Sequence, residues 1–249
     1  MIRMLVKSMV FFVLLSLAFR ICCHAGELQS TVCRPVKIAV LQDLTGSIQD
    51  NDVPVIQMSD VDALIKMISR CGGELGVGSI SENSNRRLAR LVLGAPPAQP
   101  PAPSKKGNPY KAARLQTEYK EQTARYQALH AQWSRSNAAN MERFREEVLK
   151  VMDRKQAKSS DIWSAVRRAD LFLSENSGVW GGKLIMYAVF ITDGVDNAGR
   201  KAVRDVNKNV QYIAVPGQTG VLTDLNPMKF ESVPSAFRYI NSSIMERSK

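Results

Sequence analysis

Residues 36–48 read V-K-I-A-V-L-Q-D-L-T-G-S-I, and this stretch limits the possible folds more than any other. Val36, Ile38, Ala39, Val40 and Leu41 make a short, nearly continuous apolar run. A strand with one wet face would alternate apolar and polar residues; this run suits a strand covered on both faces, inside a parallel sheet. It ends in Asp43, Thr45 and Ser47, three oxygen-bearing side chains at alternate positions, with Gly46 allowing a turn. Leu184 to Thr192 is a second such run and ends in Asp193-Gly194. Ligands of open α/β sheets sit at the carboxyl ends of strands, so two buried strands tipped with aspartate make a candidate cation or phosphoryl site.

The intervening segments fill in an α/β alternation. Asp52 to Ile68 is expected to be helical, with Val61, Leu64, Ile65 and Ile68 on one face and Gly72-Gly73 as the stop. Glu74–Ile80 and Arg87–Leu93 are expected to form an antiparallel hairpin at the sheet edge. A helix opening at Ser159-Ser160-Asp161 buries Ile162, Val166, Ala169 and Leu173 or Phe172, and either serine can cap it. A short helix at Asn197–Val206, a strand at Val210–Val215 and a helix at Phe230–Met245 follow. The expected class is a doubly wound, mostly parallel α/β sheet with an antiparallel edge hairpin.

Composition shifts abruptly between the two halves of this pattern. Ala95–Pro103 holds five prolines in nine residues, an extended spacer. Beyond it Asn108 is a good N-cap and Pro109 fits the first position of a long helix. Leu115, Tyr119, Tyr126, Leu129 and Trp133 form one apolar stripe, and Met141, Phe144, Val148 and Met152 another. Residues 134–140 either break this stretch into a helical hairpin or continue it as one rod, a coiled-coil-like element. The segment 95–158 carries thirteen Lys/Arg against six Asp/Glu, a net of +7. Such a run is either a solvated face or a contact for an acidic protein or an anionic surface, a membrane surface included. The division is therefore 1–25 as an export signal, 34–94 and 159–249 as the α/β domain, 95–108 as linker and 109–158 as an inserted basic helical arm.

Arg3 and Lys7 precede an apolar run over Met9–Phe19, with a small-residue cleavage position at Ala25. The run is short for a bilayer span, so export to a periplasm or the exterior is expected, with an uncleaved anchor as the alternative. Cleavage lowers the net charge from +11 to +8 and leaves Cys33 and Cys71, which end a strand–helix unit on one pole. An oxidising compartment would pair them, a reducing one would leave two buried thiols. Export removes nucleic acid from the expected partners. His130 is the only histidine left after cleavage and lies in the arm, which excludes a His-based triad in the core. No phosphate-cradling P-loop sequence occurs.

Asp43-Leu44-Thr45-Gly46-Ser47 resembles the D-x-[S/T]-x-S motif of von Willebrand factor type A (vWA) domains, and Ile191-Thr192-Asp193-Gly194 resembles their strand-end aspartate. The resemblance covers residues 37–93 and 159–245, and implies a vWA/Rossmann-like fold. The family's remaining ligand, a hydroxyl at the head of the preceding helix, falls on Ser160, with Ser159 second. It also implies a metal-ion-dependent adhesion site of Asp43, Thr45, Ser47, Ser160 and Asp193. Such a site holds Mg²⁺, or alternatively Mn²⁺ or Ca²⁺, and leaves a position for a carboxylate of a protein partner. Hydroxyls with few carboxylates suit a hard dication. The same tip can be a plain strand-to-helix turn capped by Ser47.

An enzymatic alternative rests on a second likeness. Asp43-Leu44-Thr45-Gly46 is similar to the D-K-T-G phosphorylation motif of P-type ATPases and the haloacid dehalogenase superfamily. Residues 192–197 are similar to their T-G-D-G-V-N-D segment. That scheme makes Asp43 a nucleophile. The chain lacks the Lys after Asp43 and the Gly before Asp193, and reverses the final pair to Asp196-Asn197. The expectation is therefore a binding module and not an enzyme.

Overall fold

The apolar run of residues 36–43 forms the centre of a six-stranded sheet because both of its faces find covering helices. The computed structural model describes residues 34–246 except 47, 49–51, 104–108, 154–156, 176–179, 181–183, 200, 201, 204 and 218. Residues 1–25, where an export signal is expected, and Cys33, Ser47 and Asn108 lie outside the described residues. The strands are β1 (Val36–Asp43), β2 (Gly73–Ile80), β3 (Ala89–Leu93), β4 (Ile185–Ile191), β5 (Val210–Val215) and β6 (Met228–Lys229). Their order is β3-β2-β1-β4-β5-β6. Every neighbouring pair is parallel except β2–β3. This is the doubly wound, mostly parallel α/β sheet with an antiparallel edge hairpin that the sequence leads one to expect.

Among the described residues four α-helices cover the sheet: α1 (Met58–Cys71), α2 (Pro109–Met152), α3 (Ile162–Ser174) and α4 (Val233–Glu246), with a 3₁₀ turn at Gly220–Leu225. Alternation along β1 divides the core. Val36, Ile38 and Val40 pack with residues of α1 and α4, while Ala39 and Leu41 pack with Ile162, Val166 and Ala169 of α3. Gly78 of β2 makes room on the α3 face. A Cβ there would lie 2.5 Å from Leu88 and 2.8 Å from the Arg168 guanidinium. Arg168 uses that space to donate to the carbonyls of Ser79 and Arg86, which holds the β2–β3 loop against α3.

Three boundaries differ from the sequence expectation, each for a local reason. Helix α1 starts at Met58 instead of Asp52, since Pro54 drives Val53 out of the helical region. The Ile56 amide instead donates to the buried Gln42 side chain (2.9 Å). No helix forms among the described residues of 197–206. The amides of Asn197 and Ala198 both donate to the Ser160 carbonyl, and Gly199 has φ +65°. The last helix starts at Val233 because the Phe230 amide donates to the Ala214 carbonyl, extending the β5 pairing. The short edge strand β6 goes beyond the expected elements.

The inserted stretch is one rod, not a hairpin. Helix α2 runs unbroken for 44 residues, a length of about 66 Å. Ser136 and Asn137, in the segment that could have broken it, turn their side chains back to the carbonyls of Gln132 and Trp133. The two stripes have different fates. Phe144, Val148 and Val151 are buried in the α1/α4 core cluster, with Met141 and Met152 packed against it. Leu115 and Leu129 are exposed. The C-terminal third of the arm thus belongs to the α/β core, and Arg145 ties it to Asp62 of α1 at 2.7 Å. The linker is held to the rod where Trp133 Nε1 donates to the Gly94 carbonyl (3.1 Å).

Opposite the Asp43 tip the sheet buries a charged cluster. Lys37 and Glu74 are fully buried register partners on β1 and β2, 3.4 Å apart. Arg90 bridges Glu74 and Glu175, each at 2.7 Å. Burial pulls the Lys37 pKa down against the attraction of Glu74. Charges this deep persist because each has a partner. Cys71, at the end of α1, is disulfide-bonded; the other three cysteines lie outside the described residues.

Tyr212 on β5 supplies a pH test of the α3 face. Burial, then the nearby Asp170 carboxylate, push its phenol pKa well above the usual value. The folded protein keeps the phenol proton where the unfolded chain, at about pH 10, has lost it. This contribution is fully present below about pH 10 and is lost as pH rises through the folded value. Urea unfolding at about pH 9 and pH 11 should show a larger loss for the wild type than for Tyr212→Phe; parallel losses would refute the assignment.

Candidate metal centre at the strand tips

Asp43 ends β1, and the parallel pairing of β1 with β4 brings the tip of β4, Thr192-Asp193, beside it. The third contributor, Ser160, comes from the segment between α2 and α3, which is pinned on several sides. Thr45 and Ala157 form a β-bridge, and the Ala157 amide donates to the Leu44 carbonyl (3.0 Å). The Asp161 amide donates to the Ser81 carbonyl, also at 3.0 Å. The Ser160 carbonyl takes the two amides of Asn197 and Ala198.

The helix cap is not a serine. Asp161 is the N-cap of α3 and accepts from the Ser164 amide (3.1 Å). Asp196 adds a second acceptor, for the Trp163 amide (3.2 Å). Both acidic groups suit the positive end of a helix. With capping assigned to Asp161, the Ser160 hydroxyl is available to turn into the site.

The cluster is built around the Asp43 carboxylate. Its Oδ1 accepts from the Thr45 amide (3.0 Å) and the Thr45 hydroxyl (2.8 Å). Its Oδ2 accepts from the hydroxyls of Ser160 (3.0 Å) and Thr192 (2.8 Å). All four side chains are at most 5% exposed. No Lys or Arg lies within ion-pair distance of Asp43 among the described residues. Burial raises the Asp43 pKa, and the hydrogen bonds from Thr192, Thr45 and Ser160 pull it partly back.

Of the five sequence candidates, Asp43, Thr45 and Ser160 meet in direct hydrogen bonds. Asp193 is buried at the β4 tip, where its Oδ1 accepts the Val195 amide (3.0 Å) and turns the loop. Gly194 follows at φ +77° with its carbonyl against the Val221 amide, a conformation that favours glycine. Ser47 lies outside the described residues. Ser159, the second choice for the hydroxyl, is half-buried and yields the position to Ser160. Thr192 stands outside the sequence-based set. Its signal was the strand register: if β1 and β4 are parallel neighbours with aligned tips, the residue level with Asp43 is Thr192.

Thr45 Oγ1 and Ser160 Oγ are themselves 3.0 Å apart, a hydrogen bond in which either can donate. A separation of about 3.0 Å is also the edge of an octahedron with metal–oxygen distances near 2.1 Å. The donors are hard oxygens, and among the described residues no group of three His, Cys, Asp or Glu gathers anywhere. This donor set fits a hard dication and does not fit a thiolate- or imidazole-bound metal.

No protein-family model and no curated protein matches the chain. Among solved structures, it is similar to proximal thread matrix protein 1 from the mussel byssus. The match has 15% identity and TM-score 0.40, covering 85% of this chain and 47% of that one. A form of the same protein "with zinc occupied MIDAS motif" matches at 14% identity and TM-score 0.38, with the same coverage. The pilus adhesin SpaC from Lactobacillus rhamnosus GG, in an open conformation, matches at 11% identity and TM-score 0.37, covering 86% of this chain and 30% of that one. The chain thus spans less than half the length of these structures. Likenesses at this level assign neither a family nor a ligand.

Proposed function

We propose that this chain is an exported vWA-like binding module that grips protein partners through a divalent cation at the β1 and β4 tips. The carrying observation is the Asp43 carboxylate, buried without a basic neighbour among the described residues and gathering three hydroxyls from three segments. Asp43, Thr45, Ser160 and Asp193, with Ser47, would hold Mg²⁺, or Mn²⁺ or Ca²⁺ in its place. The bound cation would supply a Lewis-acidic position for an Asp or Glu of the partner. Asp43 orients the hydroxyls by accepting their hydrogen bonds. Isothermal titration of the full chain with MgCl₂ or MnCl₂ should give one saturable site, removed by chelator. The absence of a site in both titrations would refute the proposal.

One arrangement supports binding over phosphoryl chemistry. Asp196, which a haloacid dehalogenase scheme needs beside the ion, accepts the Trp163 and Ala198 amides. Asp43-dependent turnover of acetyl phosphate would reverse this choice.

The basic arm has a separate role in this reading, as a contact for acidic protein or anionic lipid surfaces. Lys111, Arg114, Lys120, Arg125 and Arg135 are exposed along the rod. No helix among the described residues is long and apolar enough to cross a membrane. Changing these five to Gln should lower salt-sensitive binding to anionic vesicles or acidic protein and leave Mg²⁺ binding intact. Unaltered vesicle and acidic-protein binding would remove the arm from recognition. Point substitutions are preferable to deleting 95–158, since Phe144, Val148 and Val151 would leave the core with the arm.

A further inference from the structure

Among the described residues strand β3 is an edge strand, paired to β2 on one side only. In an antiparallel edge strand every second residue points its N–H and C=O away from the sheet. Beside this edge runs a groove of about 550 Å³, walled by β3 and by the seated part of α2. Its strand-side wall consists of six successive residues, Arg87 to Val92, of which Ala89 to Val92 belong to β3. Successive strand side chains point to opposite faces, so these four can line one groove only where the strand presents its backbone edge.

The groove has a definite charge. Exposed Arg87 stands on the strand side and exposed Arg143 and Lys150 on the helix side, against a single carboxylate, Glu147. Buried Phe144 and Val151 give the helix wall an apolar component between these cations. Arg90, also on the lining, is held by Glu74 and Glu175. A slot between an edge strand and a helix is the geometry used to bind an extended peptide by strand addition. Three cations select an acidic occupant. A second copy of this chain would bring its own Arg87, Arg143 and Lys150 against the same set, which opposes self-pairing.

We propose that the groove between β3 and α2 takes an extended acidic segment of a partner protein as an added strand beside β3. Backbone bonds to the β3 edge supply affinity. Carboxylates at alternate positions meet Arg87, Arg143 and Lys150, and intervening apolar side chains meet the exposed Val92. This surface is distinct from the Asp43 cluster and does not depend on a bound ion.

The test uses the full chain and fluorescein-labelled peptides of about eight residues, a typical strand length. One alternates Glu and Val, one alternates Lys and Val, and one is the Glu–Val peptide with alternate amides N-methylated. The Glu–Val peptide should raise fluorescence anisotropy, equally in Mg²⁺ and in chelator, and should protect the amides of residues 89–93 from hydrogen exchange. The double variant Arg143→Glu/Lys150→Glu should bind it at least about tenfold more weakly, with an unchanged far-UV CD spectrum. Any of four results overturns the proposal: no binding up to about 1 mM peptide; equal binding of the Lys–Val or N-methylated peptide; protection confined to the exposed part of α2; or a dimer of this chain that competes with the peptide.

Discussion

Asp43→Asn should abolish the rise in melting temperature that Mg²⁺ gives the wild type. At a Mg²⁺ concentration about a hundred times Kd, binding to the folded state alone stabilises it by about 2.7 kcal/mol. For a chain of this size each kcal/mol moves Tm by about 2–4 °C, so the wild-type shift is on the order of 5–11 °C. Asparagine keeps the volume of aspartate but removes the charge that a dication needs and one of the two acceptors that collect the hydroxyl protons. Thr45, Ser160 and Thr192 would then rotate into other hydrogen bonds. Without metal the variant should melt within a few degrees of the wild type, since losing a buried carboxylate offsets the weakened hydrogen bonds. A Mg²⁺ shift of wild-type size in Asp43→Asn would end the metal-site reading, whatever the fate of partner binding.

Phe144→Ala should destabilise the protein by about 3–5 kcal/mol, while Leu129→Ala on the same helix should change it by less than about 0.5 kcal/mol. Phe144 is 1% exposed, among α1, α4 and sheet residues. Truncating it removes a full aromatic contact set and leaves a cavity that three fixed elements cannot close. Leu129 is 45% exposed on the projecting part of the rod, where alanine is at least as good a helix former. Urea unfolding followed by far-UV CD should show the Phe144→Ala midpoint displaced at unchanged slope. Equal midpoints for the two variants would mean that the C-terminal third of α2 contributes nothing to the core, and the wall of the β3 groove with it.

The rod shows how far a pattern can be followed. Met141, Phe144, Val148 and Met152 repeat at helical spacing, and so do Leu115, Tyr119, Tyr126, Leu129 and Trp133. Periodicity says that each set shares a face. It does not say which face meets a sheet, because that depends on where the helix enters and leaves the fold. Here the bridge between Thr45 and Ala157 fixes the exit, which sets the last turns of α2 on β2 and β3. The same limit applies to the abandoned helix at 197–206. Its amides had a local option in a helix turn and a distant one in the Ser160 carbonyl, and the distant one prevails.

At the strand tips the sequence by itself determined that β1 and β4 would be buried on both faces, because continuous apolar runs of that length leave no polar side for water. It determined equally that Asp43, Thr45 and Asp193 would stand where those runs stop. Only the tertiary structure decided that Ser160 and not Ser159 turns inward, that Asp161 caps α3, and that Thr192 joins the carboxylate. The inward Ser160 and the added Thr192 are held by hydrogen bonds between residues 117 and 149 positions apart. Their geometry comes from parallel register and from a loop held on several sides, neither of which leaves a mark in local composition.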